Sequence, residues 1–177
     1  MTSLFTILDQ IKKVADETAT ALGKPVQIHF PPKDSLIAPT WQLPLTLVLT
    51  HLVRNSIDHG FAQDGGEIWF RTPPSDSMWI LEMEDSGAGV SLEKIKVRAV
   101  QLGLLMDDDN PSRNALLELL FYPGFTTRES STPYSGRGIG MDIVLHEILK
   151  LGGQIHLLQN EKKGLQIQIE IPLPTSR

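Results

Sequence analysis

The sequence contains no cysteine, which excludes a disulfide framework, thiolate zinc, iron–sulfur clusters and a cysteine nucleophile, and fits a reducing compartment. It has no excess of positive charge either. Sixteen Lys+Arg stand against 21 Asp+Glu, a formal net charge of −5, so no whole-molecule field draws the chain to nucleic acid or anionic lipid. An anionic ligand must be held by local geometry. Long apolar runs are missing: Met1 to Leu22 is interrupted by Asp9, Lys12, Lys13, Asp16 and Glu17, and no stretch reaches the ~18 apolar residues of a membrane span. The expectation is a soluble, cytoplasmic domain without membrane insertion and without nucleic acid as a partner. The GxxxxGK[ST] loop is absent, and the one glycine-rich loop, GRGIG, comes late in the chain rather than after a first strand as a GxGxxG fingerprint would. The five histidines show no HExxH spacing. What is present is 177 residues with 41% hydrophobic and 21% charged residues, enough for one continuous core. A single domain over residues 1–177 is expected.

Periodicity divides the chain into helices and hairpins. Leu4, Ile7, Leu8, Ile11, Val14, Ala15 and Leu22 recur at steps of three and four, which predicts an amphipathic helix with Gly23 as its stop. Val26, Ile28 and Phe30 alternate before Pro31 and Pro32 and predict a short strand. A second helix is expected from Leu43 to His59. Glu67–Thr72 and Met78–Glu84 read as an antiparallel hairpin around Pro73 to Asp76, and Gln154–Leu158 with Leu165–Ile171 as another. Between them, Ser91 can cap a helix to about Leu104, and Asn110 with Pro111 can start one through Leu120. The polar loop Pro123 to Ser135 precedes a last helix that ends at Gly152 and Gly153. Helices interspersed with hairpins imply an α/β (α+β) two-layer sandwich: a mixed, largely antiparallel sheet with helices on one face.

Four segments carry chemistry. HLVRNSIDHG places His51, Asn55, Asp58 and His59 at i, i+4, i+7 and i+8 of the second helix, on one stripe. EDSGAGV sets Asp85 directly after a strand, where it can accept a hydrogen bond from an exocyclic amine while Gly87 and Gly89 let backbone approach a flat ring. LFYPGFTTRE breaks a helix at Pro123 and Gly124 and then offers Thr126, Thr127 and Arg128. SGRGIGMD places Gly136, Gly138 and Gly140 before a helix, where unpaired N–H groups and the positive dipole end suit phosphate oxygens.

In this combination and order the segments resemble the N box, first glycine box, F box and second glycine box of the ATP-binding superfamily of gyrase, heat-shock chaperone, histidine kinase and mismatch-repair ATPases. Within it, HLVRNSIDHG, FYPGFTT and SGRGIGMDIV are most similar to the catalytic domain of the chemotaxis histidine kinase (CheA) family, whose N box begins with His where most relatives have Glu. The resemblance implies ATP and Mg²⁺ as cofactors. By it, Asn55 would hold Mg²⁺ through its amide oxygen, a hard donor for a hard cation, and Asp85 would read the adenine amino group. His51 would sit near the γ-phosphate as a catalytic residue beside Asn55. Asp58, His59 and Lys94 would lie at the nucleotide, Gly87 and Gly89 at its ring, and Thr126, Thr127 and Arg128 on a mobile lid. Gly136, Arg137, Gly138, Ile139, Gly140 and Met141 would line the triphosphate.

The implied activity is transfer of the ATP γ-phosphoryl group to a histidine on a phosphoacceptor domain, in the same polypeptide or in trans, in two-component, chemotaxis-type signalling. No four-helix phosphoacceptor, dimerising hairpin or SH3-like coupling domain is recognisable in the chain, so acceptor, dimerisation and coupling domains would be separate partners. Two other readings share the pocket: an ATPase switch, which wants a carboxylate where His51 stands, and a nucleotide-binding module without transfer activity.

Overall fold

In the computed structural model, residues 1–125, 140–158 and 164–173 are described. A two-residue strand β1 (Thr2–Ser3) leads into α1 (Leu4–Leu22), capped by the Ser3 hydroxyl, which accepts from Thr6 N–H. The helix stops where Gly23 adopts φ 66°. Lys24 N–H then donates to Ala19 O and Gly23 N–H to Thr20 O, the paired bonds that satisfy the last carbonyls of a helix behind a left-handed glycine. Strand β2 (Val26–His29) follows, then β3 (Leu36–Ile37), which pairs with β1. A 3-10 turn at Pro39–Trp41 opens α2 (Gln42–Asn55), and a π-turn, Ser56–Gly60, continues it. Next come β4 (Gly66–Arg71), β5 (Met78–Asp85), α3 (Leu92–Gln101) and α4 (Arg113–Glu118), then α5 (Met141–Lys150), β6 (Gln154–Leu158) and β7 (Gln166–Pro172).

The main sheet has the order β2-β4-β5-β7-β6. Both expected hairpins form, β4 with β5 and β6 with β7, and β5 pairs antiparallel to β7 in the centre. Among the described strands of this sheet only β2 runs parallel to its neighbour, β4, with α2 on the long route between them. The sheet is one-sided. Along β5, Trp79, Leu81, Met83 and Asp85 are buried while Met78, Ile80, Glu82 and Glu84 are half-exposed, the two-residue period of a sheet covered on one face. That face meets the apolar stripes of α1 (Leu4, Ile7, Leu8, Ile11), α2 (Leu45, Val48, Leu49, Leu52) and α5 (Val144, Ile148) in one core. A smaller cluster joins α3 and α4 through Ile95, Ala99, Leu116, Leu117 and Phe125. No helix among the described residues is long and apolar enough to cross a membrane.

Three sequence expectations need correction. The helix expected from Leu43 to His59 is α-helical only to Asn55, because Phe61 N–H reaches back to Ser56 O, a five-residue step, at 2.9 Å. The helix expected from Ser91 to about Leu104 ends at Gln101, where Gly103 at φ 71° lets Leu104 N–H bond Ala99 O. The helix expected to start at Asn110 and Pro111 starts instead at Arg113, because the Ser112 hydroxyl accepts from Ala115 N–H and makes Ser112 the cap.

At the entry to α1, Asp34 accepts from the Ser3 hydroxyl at 2.5 Å and from the amides of Phe5 and Ser35. The Ser3 hydroxyl chiefly, with those amides, holds the Asp34 carboxyl below its ordinary value. A depressed folded pKa contributes stability that is present above the unfolded value and lost as pH falls through the folded one. Asp34→Asn should therefore lower the thermal midpoint slightly at pH 7 and remove part of the acid destabilisation below about pH 4. Thermal unfolding of both proteins across that range reads the difference.

Candidate functional site

The site forms where the end of α2 and its π-turn meet the end of β5. Asp85, last residue of β5, is 3% exposed and its carboxylate lies at the edge of the core. Burying a charge is costly unless hydrogen bonds compensate, and here they do. Oδ2 accepts from the Ser56 hydroxyl at 2.7 Å; Oδ1 accepts from Gly87 N–H at 2.9 Å and Leu165 N–H at 3.2 Å. Ser56, itself 4% exposed, was not singled out in the sequence. Its residue type is common, and only the fold brings it to a carboxylate 29 positions away.

Backbone packs on backbone around this carboxylate. Ala88 N–H donates to Gly60 O at 2.9 Å, and a Cβ on Gly87 would meet Gly60 O at 2.7 Å. A Cβ on Gly164, at φ 135°, would sit 2.0 Å from Asp85 O, so glycine is required there by contact. Gly60 is different. It has no left-handed φ, and a Cβ there would find Asp85 Oδ2 and the Gly87 Cα at 3.9 Å and nothing nearer. The protein's own packing does not demand glycine at 60. A methyl would instead project beside the carboxylate oxygens, where a flat ring donating to Asp85 would approach, and this is the observation that fits an adenine at the site.

The other expected residues fall into three groups. His51 and Asn55 sit one turn apart on α2, half-buried, with Asn55 Nδ2 2.8 Å from His51 Nε2. The amide donates, so the imidazole accepts at Nε2, and the amide's other end, Oδ1, is the hard oxygen that suits Mg²⁺. Among the described residues no three His, Cys, Asp or Glu side chains converge. A divalent cation here would thus take most of its ligands from phosphate and water, as Mg²⁺ does at nucleotides. Asp58 and His59 lie exposed on the π-turn, 3.0 Å apart as a pair; the wider winding shifts both off the α-helical stripe expected for them. Gly89 has φ 73° and packs against Gly164, Lys94 is exposed in the first turn of α3, and Gly140 caps α5 just before Met141. Thr126, Thr127, Arg128, Gly136, Arg137, Gly138 and Ile139 lie outside the described residues.

Comparison with known proteins gives this geometry a family. Residues 42–175 match the family described as histidine kinase-, DNA gyrase B-, and HSP90-like ATPase. The chain belongs to that family and is an ATP-binding domain of it. It is 28% identical to the chemotaxis protein CheA of Bacillus subtilis over 99% of its own length, and 30% identical to that of Salmonella typhimurium over 94%. It spans only 28% and 26% of those two proteins. Among solved structures it superposes on the catalytic domain of the histidine kinase ThkA with a TM-score of 0.64 at 18% identity, covering 97% of this chain and 94% of that one. The mycobacterial sensor histidine kinase MprB gives 0.59 at 17%, covering 97% and 96%. These two show the shared fold: a mixed sheet with helices on one face.

The two glycines flanking the pocket should respond in opposite ways. Gly87→Ala drives a methyl into the Gly60 backbone and should cost about 1–3 kcal/mol of stability, as overpacking does. Gly60→Ala meets nothing closer than 3.9 Å and should stay within about 1 kcal/mol of wild type. Urea unfolding of the two variants beside wild type reads both.

Proposed function

We propose that this chain is the catalytic domain of a CheA-like histidine kinase, moving the γ-phosphoryl group of ATP to a histidine of a phosphoacceptor domain outside this chain. The observation that carries the reading is the buried Asp85 carboxylate facing the bare Cα of Gly60. A fixed acceptor at the back of a slot open to a flat ring selects an exocyclic amine, which adenine has and guanine lacks at that position. Specificity of this kind is large, because a wrong base leaves the buried acceptor without a donor.

The rest of the chain supplies alignment and charge. When bound, Mg²⁺ neutralises and aligns phosphoryl oxygens. Asn55 presents Oδ1 to the cation, and His51 fixes which way the amide faces by accepting from Nδ2. For His51 to hydrogen-bond an incoming acceptor imidazole through Nε2, that contact has to be exchanged. Asp58, His59 and Lys94 would stand near the phosphates, and the segment from Thr126 to Ile139 would supply the lid residues Thr126, Thr127 and Arg128 and the phosphate loop of Gly136, Arg137, Gly138 and Ile139. The chain's similarity to CheA proteins supports chemotaxis-type signalling with separate acceptor, dimerisation and coupling domains, and a cytoplasmic setting. The residue at position 51 favours transfer over the ATPase-switch reading, since imidazole lacks the fixed negative charge that polarises an attacking water.

Calorimetry and a transfer assay test this together. Wild type should bind Mg²⁺-ATP, Asp85→Asn should lose it by tenfold or more, and Gly60→Ala should weaken it while remaining folded. With γ-labelled ATP and the isolated phosphoacceptor domain of a CheA relative, label should appear on the acceptor in acid-labile form, and His51→Gln should cut its rate roughly a hundredfold. Equal ATP affinity in wild type and Asp85→Asn would remove the pocket assignment. Rapid release of free phosphate without an acceptor would replace the kinase reading with the ATPase one.

A further inference from the structure

The π-turn at Ser56–Gly60 carries two residues of the nucleotide site yet ends a helix, where carbonyls lose their partners. Four of its five carbonyls are bonded outside the turn itself. Ser56 O accepts from Phe61 N–H and Gly60 O from Ala88 N–H, both at 2.9 Å. Ile57 O and Asp58 O accept from a single side chain, Lys24, whose Nζ lies 3.0 and 2.8 Å away across 33 and 34 positions of sequence. We propose that Lys24 is a positioning residue of the nucleotide site: its ammonium bridges the Ile57 and Asp58 carbonyls, and thereby sets the winding that places Gly60 beside Asp85.

The placement of Lys24 is itself fixed. It is the second residue past the end of α1, and its N–H is bonded to Ala19 O behind the left-handed Gly23. The next residue, Pro25, accepts from Gly66 N–H at 3.0 Å, so the same corner also grips the start of β4 on the far side of the π-turn. A cation suits the place, since a helix C-terminus presents partial negative charge and ordinary lysines are used there. The bridge differs in reaching the terminus of another helix, which makes it a link between α1 and the site rather than a cap within one element. Without it, the Ile57 and Asp58 carbonyls lose the ammonium that bridges them, and a tighter α-helical ending, closing i to i+4, competes with the π-turn. That ending would move Gly60 off the Gly87 and Ala88 backbone and change the slot facing Asp85.

The role rests on the ATP-site reading, and the experiment separates the two. Amide hydrogen exchange on the nucleotide-free chain and ATP affinity by calorimetry are compared for wild type, Lys24→Met and Lys24→Arg, with thermal midpoints as a folding check. Lys24→Met should raise exchange at the Phe61 and Ala88 amides about tenfold or more, consistent with losing a hydrogen bond to a charged group, and weaken ATP binding by a similar factor. Amides of the sheet centre should not change. Lys24→Arg, which keeps a cationic donor, should recover most of both. Unchanged exchange at Phe61 and Ala88 in Lys24→Met overturns the tether. Faster exchange with wild-type ATP affinity overturns the positioning role, and so does a uniform rise across the sheet, which marks general destabilisation. Wild type that binds no ATP sinks the functional reading and the positioning role with it, while the exchange data still decide the tether.

Discussion

A carboxylate that must stay solvated without water organises this domain. Asp85 ends the central strand β5 in the buried phase of its alternation, and its oxygens are satisfied by Ser56, Gly87 and Leu165. Those three donors come from the π-turn after α2, the loop after β5 and the residue just before the last strand. Meeting the needs of one buried charge thus draws together three parts of the chain. The same requirement sets the glycines: Gly87 and Gly164 lie so close to neighbouring backbone that a side chain at either would displace the donors. In the proposed site, stability and recognition would share the same atoms, since the carboxylate held by these groups lies beside Gly60, which carries no side chain.

Much of this was legible in sequence because local rules were strong there. Ser91 at a helix start, Gly23 and Gly152 behind helix ends, and the strand-forming runs of the two hairpins each state their structure within a few residues. Asp85 could be picked out for the same reason, as an acid directly after a strand and before two glycines. The four-segment order added what spacing alone could not, a specific kind of pocket.

What stayed hidden depends on contacts between distant positions. Nothing near Ser56 announces a π-turn, since two of its carbonyls meet Lys24, just past the end of α1 and more than thirty positions away. The parallel pairing of β2 with β4 leaves no turn signature, and β1 with β3 is only two residues long. Gly60 and Gly164 read as ordinary punctuation in a chain with 14 glycines. Only the space around each separates them: a Cβ at Gly164 would collide with Asp85 O, whereas one at Gly60 would meet only ordinary contacts.

Under the proposed function, the contrast between transfer and hydrolysis turns on which described groups would stand near the phosphates. Hydrolysis needs a group that holds and polarises a water, best done by a fixed carboxylate. Asp85 is committed to three donors at the ring end, Asp58 is paired with His59, and position 51 carries an imidazole already engaged with Asn55. In the proposed kinase, an imidazole bonded to an amide that would hold the cation would serve alignment, and alignment with charge neutralisation is most of what phosphoryl transfer asks of a protein. The nucleophile need not be activated by this chain at all if it arrives as the imidazole of a separate domain, a stronger nucleophile than water. A site that aligns well and activates water poorly keeps its phosphoryl group for the right acceptor, which is the economy a signalling kinase requires.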